Sequence, residues 1–148
     1  MKRLCLPALV LSLCGSAAVA DEALEQNKSR WLAAGIDHYT YAYQKFCDCH
    51  RDEPPQTFVE VQADEVIEVF HLHDDSDRRV PAREGSLALY WTITDLFQLV
   101  ETAEARGVSY RVSYDAATGR PTQVYIDYDP AAVGEEIDVR LTAFQAHD

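Results

Sequence analysis

Hydrophobic and polar positions change period several times along this chain, and each change marks an element. Between Asp21 and Ala34 the apolar residues Leu24, Trp31 and Leu32 fit a helix, with Asp21 placed to cap its start and Gly35 just past its end. From Tyr39 to Cys49 the period drops to two. Tyr39, Tyr41, Tyr43, Lys45, Cys47 and Cys49 then share one strand face, and Thr40, Ala42, Gln44, Phe46 and Asp48 the other. Large aromatics and small thiols mark the first face as the one turned to the core, with Lys45 lying along it by its aliphatic stem. Pro54-Pro55 breaks the pattern. Thr57 to Gln62 and Val66 to His73 alternate as two strands around a tight turn at Ala63-Asp64-Glu65, and Asp74 to Ser86 reads as a polar loop.

Helical period returns after Trp91. Thr92 with Asp95 three residues on forms a capping box, Trp91 and Leu96 occupy staple positions, and Ile93, Leu96, Phe97 and Val100 make an apolar stripe. Arg106 suits the negative end of the helix dipole and Gly107 closes it. Three further strands are predicted over Val108–Tyr114, Thr122–Tyr128 and Glu136–Phe144. Helix, three strands, helix, three strands is the order of an α+β domain, two helices packed on antiparallel strands.

The N-terminus changes the picture. Lys2 and Arg3, the apolar run Leu4 to Leu13 and the small residues Ala18-Val19-Ala20 make up a secretory signal peptide, with cleavage expected between Ala20 and Asp21. The apolar run is too short to span a bilayer. Lipid attachment at Cys14 is the weaker reading, because bulky Leu13 precedes it. Residues 21–148 then form a single domain in the periplasm or outside the cell, with no membrane span in the mature chain. Losing two basic residues moves the formal net charge from −12 to −14, which repels nucleic acid and anionic lipid. A protein or small-molecule partner is expected, of a kind the sequence leaves open.

Trp31, Tyr39-x-Tyr41, Cys47-x-Cys49, Leu96-Phe97, Tyr114-Asp115, Gly119-x-Pro121-Thr122, Ile126-Asp127-Tyr128 and Glu135-Glu136, taken together, resemble domain of unknown function 6174, a family of exported bacterial proteins. The resemblance spans nearly all of the mature chain and implies export, but no activity. Two departures stand out: the first hairpin lacks a turn glycine, and Leu87 to Trp91 with the preceding polar loop looks like an insertion.

Export leaves two of the four cysteines, Cys47 and Cys49, and in an oxidising compartment they are expected to form a disulfide. Residues two apart in a strand have Cα atoms roughly 6.6 Å apart, so the chain must bend at Asp48. Closing so small a loop contributes only about 1.6 kcal/mol before strain, which assigns the bond a local clasping role. A redox role is the sharper alternative, since strained disulfides are more oxidising; Asp48 and the lack of Cys-x-x-Cys spacing argue against a lowered thiol pKa. A metal site is the other alternative, with Cys47, Cys49 and His50 facing the co-facial pair His71 and His73, a mixed sulfur and nitrogen set suited to zinc or copper. The plainer reading makes both histidines half-buried strand residues. Asp74-Asp75-Ser76-Asp77 lacks the glycine of a calcium loop and is followed by Arg78-Arg79. No motif for hydrolysis, phosphate binding or zinc proteolysis occurs, and no cofactor is implied. The expected function is therefore a small exported binding module without catalysis, the alternative a metal-binding or thiol-redox protein.

Overall fold

The computed structural model describes residues 16–46, 56–73, 76–82, 87–132 and 134–147. Its elements are α1 (Ser16–Ala34), β1 (His38–Phe46), β2 (Thr57–Gln62), β3 (Glu65–His73), β4 (Ser76–Pro81), a 3-10 turn (Leu87–Leu89), α2 (Ile93–Ala105), β5 (Ser109–Tyr114), β6 (Pro121–Asp127) and β7 (Glu136–Ala146). The seven strands form one antiparallel sheet in the order β4-β3-β2-β1-β7-β6-β5, so the first and last strands lie side by side at its centre. This is the α+β arrangement expected, with one strand more between the helices.

That extra strand, β4, lies inside the segment read as a polar loop. Ser-Asp-Arg-Arg-Val-Pro shows no alternation because neither of its faces is buried, Arg78, Arg79, Val80 and Pro81 all being exposed, and charge with a terminal proline keeps this edge from recruiting further strands. α1 also starts earlier than expected, at Ser16 rather than Asp21. Its buried stripe is Leu24 and Trp31, two turns apart, whereas Leu32 is 67% exposed.

The core lies between the helices and the face of the sheet that carries Tyr39 and Tyr41. It joins Leu24 and Trp31 of α1, Ile93, Leu96, Phe97, Val100 and Ala103 of α2, and Val59, Val61, Val69, Val124, Ile126, Val139 and Leu141 of the strands. Each fully buried aliphatic side chain stabilises the fold by roughly 1.5–3 kcal/mol. The capping box of α2 is formed in both directions: the Asp95 amide donates to Thr92 Oγ1 at 3.1 Å and the Thr92 amide donates to Asp95 Oδ2 at 2.8 Å. At its other end Gly107, at φ +67°, donates to the Glu104 carbonyl while Val108 donates to that of Ala103, the paired bonds of a Schellman closure.

Two irregularities set which side chains meet. The β2–β3 hairpin turns through Ala63 (φ 50°) and Asp64 (φ 63°), a mirror-image two-residue turn built without glycine. In β7, Ala143 (φ 48°) and Phe144 together stand opposite Tyr41, a β-bulge. The bulge reverses the alternation of β7. Upstream, Val139 and Leu141 face the core; downstream it is Phe144 that packs edge-on against Trp31 and tilted against Tyr39, and His147 passes to the opposite face.

Candidate functional site

The tyrosine row of β1 holds the start of α2 in place. Burial carries Tyr39 and Tyr41 into the core, and each hydroxyl finds a backbone partner on the segment that caps the helix. The Ile93 amide, one of the donors that a helix N-terminus leaves without an internal partner, donates to Tyr39 Oη at 2.9 Å. The Tyr41 hydroxyl donates to the Trp91 carbonyl. Burial pushes both phenols far above their ordinary range, and Tyr43 with them, so none serves as a base near neutral pH. The row is core, with a docking role that alternation alone does not reveal.

Docking α2 in this way opens a cleft on either side of its N-terminus. One, of about 340 Å³, lies between the end of α1 and the β2–β3 turn and is lined by Trp31, Ile36, Asp37, Tyr39, Asp64 and Thr94 among others. The second, of about 470 Å³, lies between the start of β3 and the 3-10 turn, against Asp64, Val66, Leu87, Tyr90, Trp91 and Asp95. Asp64 belongs to both because the mirror-image turn projects it between them. Leu32, Leu87 and Leu89 are exposed along the same end of the molecule. Among the described residues the linings hold carboxylates, apolar and aromatic side chains and the threonines Thr92 and Thr94, but no lysine, arginine, histidine, serine or cysteine. Lys45 stands 5.8 Å from the Trp91 ring without lining either cleft.

The opposite face of the sheet collects a different set. His38 Nε2 lies 3.0 Å from Glu60 Oε1, and Arg79 Nη1 lies 3.2 Å from Glu60 Oε2 and 3.5 Å from Glu68 Oε2. The hydrogen bond from His38, with help from Arg79, holds the Glu60 carboxyl below the usual carboxylate range. The bulge in β7 brings His147 into this group, its ring 4.6 Å from that of His38 and its Nε2 2.7 Å from Thr40 Oγ1. The guanidinium carbons of Arg79, Arg111 and Arg140 stand 4.2–4.5 Å from the ring centres of Phe70, Tyr125 and Phe46.

Of the site residues expected from sequence, Cys47, Cys49 and His50 lie outside the described residues, as do Asp74 and Asp75. Ala20 and Asp21 fall within α1. His71 is half-buried on β3, opposite Thr57, with its Nδ1 3.1 Å from Thr57 Oγ1, while the side chain of His73 is outside the described set. No cluster of three or more metal-ligating side chains occurs among the described residues, and no helix among them is long and apolar enough to cross a membrane. Sequence reasoning passed over His38 and His147 because they are separated by nearly the whole domain. The available signal was the pairing of first and last strands, which no local pattern encodes.

A sequence model described as a family of unknown function, DUF6174, matches residues 23–146. No curated protein and no solved structure matches.

Proposed function

Since the chain belongs to the DUF6174 family, whose description assigns no activity, we propose from its own surface that it is a small exported module acting by binding rather than by turnover, with the paired clefts around the start of α2 as its contact surface. The observation that carries this reading is the lining itself. Apolar and aromatic walls share space with Asp37, Asp64, Glu65 and Asp95, and among the described residues neither lining contains a cationic side chain. Asp95 is engaged with the Thr92 amide, which leaves Asp64 as the central carboxylate. Such a surface favours an occupant that joins apolar groups to positive charge. The signal peptide supports delivery to the periplasm or beyond, where Cys47 and Cys49 would be oxidised as a clasp at the end of β1.

A nuclear magnetic resonance titration tests it, using a short peptide of alternating leucine and arginine and its glutamate counterpart. The arginine peptide is expected to move the amide signals of Ala63 and Asp64 and the indole signals of Trp31 and Trp91, and Asp64→Asn to weaken that response. Equal response to both peptides, shifts confined to other regions, or turnover of a generic hydrolase or reductase substrate that a Cys47 or histidine substitution abolishes would each overturn the reading. Protein recovered from the envelope is expected to start at Asp21 and to weigh two hydrogens less than its reduced form.

A further inference from the structure

The imidazoles of His38 and His147 lie beside each other, ring centroids 4.6 Å apart, and we infer that they bind a divalent first-row transition ion on the sheet face opposite the helices. This does not depend on the cleft reading, since the two sites lie on opposite faces of the sheet. Each imidazole is tied at Nε2. Glu60, ionised and therefore only an acceptor, accepts a hydrogen bond from His38 Nε2–H at 3.0 Å, which in a neutral ring leaves the lone pair on Nδ1. The Thr40 hydroxyl, on a buried residue, stands 2.7 Å from His147 Nε2 and can accept in the same way, freeing the second Nδ1. An imidazole whose outer nitrogen donates to a carboxylate or another oxygen is the usual second layer of a histidine metal site. It fixes the tautomer and raises the basicity of the coordinating nitrogen.

The backbone adds rigidity, because the His147 amide donates to the His38 carbonyl at 2.9 Å, and the rings, 4.6 Å apart and inclined at 50°, belong to adjacent strands. Glu60 and Glu68 outweigh the one described cation near them, Arg79, so the local charge favours a positive ion. Two nitrogen donors select zinc, nickel and above all copper(II) over magnesium or calcium, which require oxygen cages. No third histidine, cysteine or carboxylate completes the set among the described residues. These two imidazoles supply two of the ion's positions, and water or a further ligand supplies the others.

Equilibrium dialysis of the purified protein with copper(II), together with pulsed electron paramagnetic resonance, decides the matter. One copper per chain with two coordinated imidazoles is expected, and in wild-type protein the paramagnetic broadening of nuclear resonances should centre on His38 and His147, which requires no variant to fold. His38→Gln and His147→Gln are each expected to weaken binding at least about tenfold, and Glu60→Gln by about 10- to 100-fold through the outer layer. His71→Gln should leave it unchanged. Absence of stoichiometric binding, broadening centred elsewhere, or full retention in the His38→Gln/His147→Gln double variant would refute the assignment, the last by transferring the metal to the Cys-x-Cys region.

Discussion

At the scale of single residues, the β5–β6 turn shows how little freedom this fold leaves a side chain. Asp115 organises the turn: its carboxylate accepts from the hydroxyl and amide of Thr118, which lowers its pKa, and its carbonyl accepts from Gly119. Gly119 sits at φ +78° directly beneath α1, where an added Cβ would lie 2.3 Å from the Asn27 carbonyl oxygen. Gly107 has a similar φ of +67° but open space around it. Gly107→Ala should therefore cost only the backbone term, about 1 kcal/mol, whereas Gly119→Ala should cost more than about 2 kcal/mol, because the helix backbone must move. Urea denaturation of the two variants checks this, and equal losses would mean that α1 yields freely. The family motif Gly119-x-Pro121-Thr122 was visible in the sequence; that its glycine is a seat for a helix was not, because the helix arrives from the other end of the chain.

Among the elements, α2 was the most legible because its signals are local. Thr92, Asp95, the stripe from Ile93 to Val100 and Gly107 all lie within one turn of the features they specify, and all take the expected roles. Thr92→Ala removes the acceptor for the Asp95 amide and loosens the segment that Tyr39 and Tyr41 grip. A loss of about 1–2 kcal/mol is expected in urea denaturation, and a change below a few tenths would show that the tyrosines hold the helix start without the cap. β4 was illegible for the opposite reason: an edge strand need bury neither face, so it carries no alternation to read. The turn at Ala63-Asp64 was placed correctly, yet its left-handed geometry was hidden, because neither residue is one that favours positive φ at no cost. Position along the chain could be inferred there, whereas the strain that aims Asp64 could not.

Across the whole molecule, the charges and phenols define a stability window with two different walls. Glu60 and Asp115 have folded pKa values below their ordinary 4.5 and 3.8, so the stability they contribute is fully present above those values and is lost as pH falls through the depressed folded ones. Tyr39, Tyr41 and Tyr43 lie above the ordinary phenol value of 10.0, and Tyr114 is pushed up to about 12, in each case chiefly by burial. Their share is present below pH 10 and is lost above it, as the unfolded chain ionises first. Stability measured by urea from pH 3 to 11 should form a plateau with a fall on each side, and Glu60→Gln should flatten the acid limb. An unaltered acid limb would remove Glu60 from the account. The antiparallel α+β architecture followed from element order, but strand order did not, because hydrophobic period names faces and never neighbours. The placement of β7 beside β1 carries a last consequence, for the order of assembly. β1 belongs with β2, β3 and β4, and β7 with β6 and β5, so the two parts become one sheet only when the earliest and latest strands meet. Contacts of such long sequence separation form slowly, which makes this seam the step expected to limit the folding rate.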